Sequence, residues 1–505
     1  MWQEINIQRK LLYISSFILV MILFIVSALF SFGYEDDFYS AFMVEKLNSI
    51  TEIIKYSNSN DFHPAGMYII NYILLKIFGS WQFVRTVGAF VVGALIWIYW
   101  YIVSRNITNR LVFIFSYIAI CLNPSVLLWC TGLRWYTYLL PLVCIIAILI
   151  HTAENTRIKS SSFWGIYFIV CLLMFHINYL SAVIIITSFA CLLYRRRKFL
   201  HSDMKYVIVY GVIASCLVSY QAFIFLTVHH INSGQHFWPL KFSMGAAMNF
   251  LSGSAVIPVS IFGIILIIAN LILILAFFRN IKTICSDCGN NFFTVSYALI
   301  MLLYPVGTDK VRNFTILSPE MGLFLTNIYQ TLRSSLLKII ILIFYIVASA
   351  GGIYNVITHS NTVKTTYNMP YQEILNYSES LDPKRKSLFV TNLTGLYFYA
   401  REKFDNALLV PEAFSKTEVF APFFRDWYDT MKNFNGTIIA VRTHKGLSLA
   451  EDFNKFVSYL ETEKVIEAKN IGYDKFAWFK QKFYQDYLEY YAQVFFIDNR
   501  KNEDE

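Results

Sequence analysis

Long apolar runs constrain the fold of this chain more than any other feature of its sequence. They recur from residue 11 to about residue 357, and most approach the roughly 20 residues that a helix needs to cross a bilayer. Inside hydrocarbon the backbone must satisfy its own hydrogen bonds, which favours helices. Composition agrees, because 56% of the residues are hydrophobic and only 15% are charged, against about 25% charged in soluble domains. The sequence predicts a polytopic α-helical membrane protein.

Basic residues between the runs predict the side of the membrane on which each loop lies. Arg9 and Lys10 precede the first run, so the N-terminus is expected in the cytoplasm and residue 34 outside. No small-residue cleavage site follows this run, which we interpret as a retained signal anchor. Residues 64–79 are too short to cross and are expected to lie on the outer surface. The first run and ten later ones give about eleven spans, the later ones at residues 84–104, 110–128, 135–152, 163–176, 178–194, 205–227, 256–278, 292–306, 314–331 and 336–357.

Composition changes after residue 357, where charged residues become frequent and no run could span a bilayer. We therefore expect a transmembrane domain at 1–357, with an outer acidic loop at 34–63, and an extracytoplasmic mixed α/β domain at 358–505. The second domain is expected to cover a membrane cavity and to influence acceptor choice. Its predicted elements are strands at 387–391 and 437–441, a helix started by a capping box at Ser448–Glu451, and a final strand pair at 464–468 and 476–479.

Several function classes lack support in the sequence. The net charge of +9 is spread along the loops, so nucleic acid is not an expected partner. Cys285 and Cys288 form a lone Cys-x-x-Cys, whereas a structural zinc site needs four ligands. Inverted halves with broken helices, which occur in many transporters, are not visible.

Three consecutive carboxylates, Glu35-Asp36-Asp37, stand where the first run leaves the membrane. Acidic residues near lipid are costly and are often functional. A hydrated loop would also explain them. The functional interpretation is a catalytic carboxylate, which needs an acceptor hydroxyl to deprotonate and a cationic pocket for the leaving group.

The outer ends of other runs supply cations and polar rings for such a pocket. Each cation alone is explained as an interfacial anchor, and His63-Pro64 as a helix start. The candidate donor-phosphate ligands are Arg85, Arg134, Lys310 and Arg312, and the candidate substrate contacts are His63, Tyr136, His176 and Tyr179.

The order of these motifs resembles that of the GT-C superfamily of glycosyltransferases. Within it, the chain is similar to the protein O-mannosyltransferase and lipid A aminoarabinose transferase branch. The matching motifs are Asp36-Asp37, His63-Pro64, Phe78-Gly79 with Arg85, Leu133-Arg134-Trp135-Tyr136, His176-Ile177-Asn178-Tyr179, and Arg312-Asn313-Phe314 with Pro319. The departures are Asp37 in place of Glu, Ala65 in place of a second Pro, Gly132 in place of Glu and Phe314 in place of Tyr.

The resemblance implies a cell-membrane enzyme with an extracytoplasmic site and a polyprenyl-phosphate sugar donor. Asp36 would be the general base, with Asp37 as its substitute or hydrogen-bonding partner. A Mg²⁺ or Mn²⁺ ion at the acidic cluster is chemically reasonable, but the resembling branch acts without a metal, so no cofactor is expected. The sugar and the acceptor, whether glycan, lipid or protein, stay open. The alternatives are a transporter or flippase of a lipid-linked saccharide and a non-catalytic scaffold.

Overall fold

The structure of the chain is a computed structural model. It describes residues 7–30, 35–47, 49–60, 63–154, 158–224, 261–286, 288–303, 315–358, 370–412, 415, 420–444, 448–473 and 488–500. The chain divides into two compact units. The membrane unit comprises Met1–Ser31 and Ser49–Val363, and the C-terminal unit comprises Phe32–Asn48 and Lys364–Glu505. The C-terminal unit thus corresponds closely to the expected C-terminal domain and also takes in the segment that carries the acidic motif.

Helices form most of the first 358 residues. In chain order they are α1 (Ile7–Phe30), α2 (Glu35–Lys46), α3 (Ile50–Asn60), α4 (Gly66–Phe78), α5 (Trp81–Ser104), α6 (Arg110–Cys121), α7 (Pro124–Trp129), α8 (Trp135–Thr152), α9 (Ser160–Ile177), α10 (Ser181–Arg195), α11 (Leu200–Ile224), α12 (Ile261–Arg279), α13 (Ile281–Ile284), α14 (Cys288–Leu303), α15 (Ser318–Thr331) and α16 (Ser335–Thr358). All belong to the membrane unit except α2.

Seven helical segments in the described part of the chain are long and apolar enough to cross a membrane. Shorter apolar helices occur at Gly66–Phe78, Ser181–Arg195 and Ile264–Arg279. The predicted class, a polytopic helical membrane protein with a C-terminal α/β domain, is confirmed. The expected count of eleven spans is not confirmed.

Close helix crossings in the membrane unit occur at glycines, which let two backbones approach. A Cβ atom at Gly322 of α15 would lie 2.6 Å from the carbonyl oxygen of Ala119 on α6. One at Gly88 of α5 would lie 2.9 Å from Cγ2 of Thr137 on α8. These contacts set how closely α5, α6, α8 and α15 pack.

A buried ion pair joins α11 to the end of α10. Arg196 Nε donates to Asp203 Oδ2 at 2.6 Å, and Nη2 donates to Oδ1 at 3.1 Å. The third guanidinium nitrogen, Nη1, donates to the carbonyl of Ala153 at 2.8 Å. Both charged residues are at most 2% exposed. Each is therefore neutralised by its partner, as burial of a charge requires.

The apolar residues of 38–56 recur with the spacing of a single surface helix, but that prediction is wrong, because two helices, α2 and α3, occupy this stretch. The break follows from local chemistry: the hydroxyl of Ser49 accepts from the backbone N–H of Glu52 at 3.2 Å. A serine that binds an N–H group three residues later begins a new helix.

The C-terminal unit is built on a five-stranded sheet of order β2-β1-β3-β5-β4. Strands β1, β2 and β3 are parallel, and β5 pairs antiparallel with both β3 and β4. The elements are α17 (Tyr371–Leu381), β1 (Leu388–Thr391), α18 (Thr394–Lys403), β2 (Asn406–Leu409), α19 (Ala421–Phe424), α20 (Trp427–Lys432), β3 (Thr437–Thr443), α21 (Ala450–Thr462), β4 (Val465–Tyr473) and β5 (Tyr490–Asp498).

Side chains alternate between the two faces of this sheet, as strand geometry requires. Phe389 and Ile439 pack on one face with residues of α17 and α18. Val390 and Ile438 pack on the other with residues of α20 and α21, such as Phe456. The sheet therefore lies between two helical layers.

Two details predicted for this unit differ from the structure. Ser448 is not a helix cap: α21 begins after Leu449 without a side-chain cap, because Ser448 forms a β-bridge with Glu412. The predicted strand at 464–468 overlaps β4, which pairs with β5, a strand that was not predicted. Residues 476–479 lie outside the described part of the chain.

The crossing at Gly322 yields a stability prediction. Gly322→Ala should destabilise the protein by about 1–3 kcal/mol, because the methyl group meets backbone that cannot rotate away. Thermal unfolding of the detergent-solubilised protein measures the effect. Gly165→Ala is the matched control, since the nearest atom to its Cβ would be 3.8 Å away. Equal melting temperatures for the two variants would contradict the packing argument.

Candidate active site

His63 is the centre of a polar cluster in the membrane unit. It precedes α4, and its carbonyl oxygen accepts from Ser57 Oγ of α3 at 2.6 Å. Its ring contacts two further helix ends. Arg134 Nη2 lies 3.2 Å from Nε2, and Asn178 Nδ2 lies 3.3 Å from Nδ1. The segments around α3, α8 and α9 thus meet at one residue, α3 at its backbone carbonyl and the other two at its imidazole.

The contact with Arg134 fixes the chemistry of this ring. A guanidinium group can only donate hydrogen bonds, so Nε2 of His63 is the acceptor. His63 therefore orients Arg134 through this ring nitrogen.

Arg134 ends the turn between α7 and α8, residues 130–134, whose carbonyl groups need donors. Arg85 Nε of α5 donates to the carbonyl of Thr131 at 3.3 Å. Asn71 Nδ2 of α4 donates to that of Leu133 at 2.9 Å, and Thr137 Oγ1 donates to that of Gly132 at 3.0 Å. Buried carbonyl groups are costly without such partners. Satisfying them brings Arg85 to the same turn as Arg134.

Both guanidinium groups are removed from solvent, since Arg85 is 6% and Arg134 is 8% exposed. Buried cations in a region of low dielectric attract anions strongly. Arginine also binds phosphate oxygens through two parallel N–H groups. The structure thus brings together Arg85, Arg134 and His63, three of the residues that the sequence selected.

Two polar residues of the cluster were not predicted. Asn71 links α4 to α8, because Tyr138 donates its hydroxyl to Asn71 Oδ1 while Nδ2 holds the carbonyl of Leu133. Asn178 contacts His63 and accepts from the N–H of Leu180 at 2.8 Å. Asn178 stands inside the His176–Tyr179 motif, so the motif itself was the available signal.

His176 and Tyr179 occupy the same end of α9. A Cβ atom at Gly66 would lie 2.3 Å from the carbonyl oxygen of His176, so the start of α4 packs directly on this backbone. Tyr179 accepts from Gln221 Nε2 of α11 at 2.5 Å. The described contacts of these two residues position helix ends.

Tyr136 lies in the first turn of α8 and is 2% exposed. Its ring centroid is 4.3 Å from that of Trp135 and 6.0 Å from that of Trp129. It therefore belongs to an aromatic group that packs around the turn.

The acidic motif lies on α2, in the C-terminal unit. Asp36 and Asp37 are in its first turn, and their side chains lie outside the described part of the structure. Lys310 and Arg312 also lie outside the described residues. Their roles stay predictions.

Described residues hold no group of three or more His, Cys, Asp or Glu side chains arranged to bind a metal. The side chains of Asp36 and Asp37 are not among these described groups.

Comparison with known proteins supports the predicted fold. No protein-family model and no curated protein matches the chain. Two crystal structures of ArnT from Cupriavidus metallidurans are similar to it, each with a TM-score of 0.53. The apo structure is 12% identical and the match covers 98% of this chain and 99% of that one. The structure bound to undecaprenyl phosphate is 10% identical, with 99% and 100% covered. The chain therefore has an ArnT-like GT-C fold over nearly its whole length, as its ordered motifs predicted.

Proposed function

We propose that this chain is a membrane glycosyltransferase that moves a sugar from a polyprenyl-phosphate donor to an extracytoplasmic acceptor. The observation that carries the proposal is the pair of buried arginines, Arg85 and Arg134, at one turn of an ArnT-like fold. An ArnT structure with that fold is bound to undecaprenyl phosphate. Two buried guanidinium groups are the chemistry that a lipid phosphate requires.

In the proposed reaction Asp36 accepts the proton of the acceptor hydroxyl while the oxygen of that hydroxyl attacks the anomeric carbon of the donor sugar. The bond from that carbon to the phosphate oxygen breaks, and polyprenyl phosphate leaves as an anion. Phosphate is a stable leaving group and needs no proton, so one base is enough. Asp37 is the second carboxylate of the motif, and Lys310 and Arg312 are further candidate phosphate ligands.

Arg85 and Arg134 act on the leaving group. Negative charge on the phosphate grows as the bond to the sugar breaks. Cations that are already fixed stabilise this charge without reorganising, which lowers the barrier. Asn71, through the turn, and His63, through Arg134, hold the two arginines in place. These four residues lie on or beside α4, α5 and α8, which are packed elements of the membrane unit.

The test is the release of undecaprenyl phosphate from sugar donors. Purified protein in proteoliposomes is given a panel of undecaprenyl-phosphate hexoses, pentoses and amino sugars together with a membrane extract as acceptor. Mass spectrometry then follows free undecaprenyl phosphate. Release with at least one donor supports the proposal, and release with none, in protein that binds undecaprenyl phosphate, contradicts it.

One observation favours the alternative, transport of a lipid-linked saccharide. Glu320 of α15 is 2% exposed, and its Oε1 lies 3.9 Å from Nε2 of His151 on α8. Buried ionisable pairs in membrane proteins are typical of proton relays in transporters. A transporter would move the undecaprenyl-phosphate sugar from one leaflet to the other with its sugar still attached. An enzyme would release undecaprenyl phosphate, so the same proteoliposomes distinguish the two functions.

Replacing Arg134 should weaken donor binding. A charge-assisted hydrogen bond contributes about 1.5–3 kcal/mol, so Arg134→Ala should raise the Kd for undecaprenyl phosphate roughly 10- to 100-fold. Arg134→Lys, which keeps the charge but not the planar fork, should lie between Ala and the native residue. Titration of undecaprenyl phosphate measures both.

Arg105→Ala is the control for this series. Arg105 is exposed and follows the last residue of α5, whereas Arg85 of the candidate site lies near the beginning of that helix. It should bind undecaprenyl phosphate as the native protein does. An unchanged Kd in folded Arg134→Ala protein would remove Arg134 from the phosphate site.

Replacing the proposed base should affect turnover rather than binding. Asp36→Asn should lower kcat by about 10²–10⁴-fold, the usual contribution of a positioned base, with little change in the Kd for undecaprenyl phosphate. Glu35→Gln, the adjacent acid, should retain normal turnover. If Asp36→Asn turns over normally and Asp37→Asn does not, Asp37 is the base instead.

The proposed reaction needs no metal, because arginine residues supply the positive charge at the phosphate. Turnover should therefore be unchanged by EDTA. The same assay after addition of Mg²⁺ or Mn²⁺ provides the control. Loss of activity in EDTA that either ion restores would instead assign a metal to the acidic cluster.

A further inference from the structure

Helix α2, which carries the acidic motif, packs on elements of the C-terminal unit. Phe38 and Phe42 face one side of the helix together with Glu45, because residues three and four positions apart share a face. All three contact residues beyond position 370.

We propose that Arg401 and Phe42 are positioning residues, which fix α2 on the C-terminal unit and so set the position of the catalytic acid. This inference rests on the proposed function. It assigns to the C-terminal unit the placement of the base, which is a different role from covering a cavity.

Phe42 is inserted into an aromatic socket. Its side chain is fully buried, and five ring centroids of the C-terminal unit lie between 5.4 and 6.4 Å from its own. Aromatic pairs at these distances add to the stabilisation from buried area. The socket residues are Tyr397, Phe398, Phe420, Phe423 and Phe424.

A bidentate ion pair fixes the same helix one turn further on. Arg401 Nη1 donates to Glu45 Oε2 at 2.6 Å, and Nη2 donates to Oε1 at 2.7 Å. The guanidinium carbon also lies 4.1 Å from the ring centroid of Phe398. Two parallel hydrogen bonds define an orientation as well as a distance. Phe42 thus fixes the place of α2, and Arg401 fixes its rotation.

The surroundings of Arg401 favour its charged form. Burial lowers the pKa of Arg401, but the hydrogen bond and charge of Glu45, together with the nearby Tyr397 and Glu402, raise it by more, so the net shift is upward. Lys46, the neighbour of Glu45, lies 3.9 Å from the ring centroid of Phe423. The last turn of α2 is therefore held by one cation–π contact, from Lys46 to Phe423, and one ion pair, from Glu45 to Arg401.

The helix needs this support because of its length. It has 12 residues, and isolated helices below about 12–15 residues are marginal in water. Its order must come from packing.

A small rotation of α2 about its contact at Glu45 displaces Asp36, which lies near the other end of the helix. Asp36 lies nine residues before Glu45, which is about 13 Å at 1.5 Å per residue. A tilt of about 5° at the anchor would therefore move the first turn by about 1 Å, and a misplacement of that size can cost roughly 10²-fold in rate.

The test compares Arg401→Ala with Lys403→Ala in full-length protein. Both residues lie on α18, and both form ion pairs of 2.6–2.7 Å. Lys403 pairs with Glu379 of α17 instead of α2. Arg401→Ala should lower kcat for undecaprenyl phosphate release by 10- to 100-fold, with the KM for the donor within twofold of native. Lys403→Ala should leave both unchanged.

Two further measurements separate positioning from loss of fold. Hydrogen–deuterium exchange of residues 38–46 should rise in Arg401→Ala and not in Lys403→Ala. The single variant Arg401→Glu should lose turnover. The charge-exchanged double variant Glu45→Arg/Arg401→Glu should turn over at least tenfold faster than this single variant. Unchanged exchange, unchanged kcat or an equal effect of Lys403→Ala would each overturn the proposal. If native protein releases no undecaprenyl phosphate from any donor, the proposed function fails and the catalytic role of Arg401 fails with it. The exchange experiment then still decides whether Arg401 holds α2.

Discussion

A carbonyl group that is buried where a membrane helix ends must find a donor within the protein, because it has lost its hydrogen bonds to water. The turn at residues 130–134 meets this demand with side chains from α4, α5 and α8. One of these donors, Arg85, is itself a cation. The candidate phosphate site thus arises where the backbone of the turn is satisfied, and its arginines are fixed before any ligand binds. Preorganised charge of this kind is the most effective way to stabilise a leaving anion.

Sequence predicted the membrane helices well because each depends on its own composition. The expected span 135–152 has the bounds of α8, and 163–176 lies within α9. Elements defined by pairing were harder. β5 was missed although it lies between β3 and β4 in the sheet, since a short apolar run does not reveal its partners.

The same distinction applies to the site. Arg85, Arg134 and His63 were predicted because charge and ring chemistry at span ends are conspicuous. Asn71 was not, because an asparagine in a helix becomes significant only when a carbonyl from 62 residues away lies beside it. Arg196 stands in a run of four basic residues, 195–198, that is typical of a cytoplasmic loop, yet it is buried against Asp203. Long-range pairing changes the meaning of residues whose local sequence indicates nothing unusual.

The division of the chain into two units separates the acidic motif from the two buried arginines. Arg85 and Arg134 belong to the membrane unit, whereas α2 belongs to the C-terminal unit. In the reaction that we propose, the group that accepts the proton and the groups that bind the leaving phosphate are therefore held by separate sets of contacts. Because general-base catalysis falls steeply with distance from the reacting hydroxyl, contacts that hold α2 would affect turnover, whereas contacts that hold the arginines would affect donor binding.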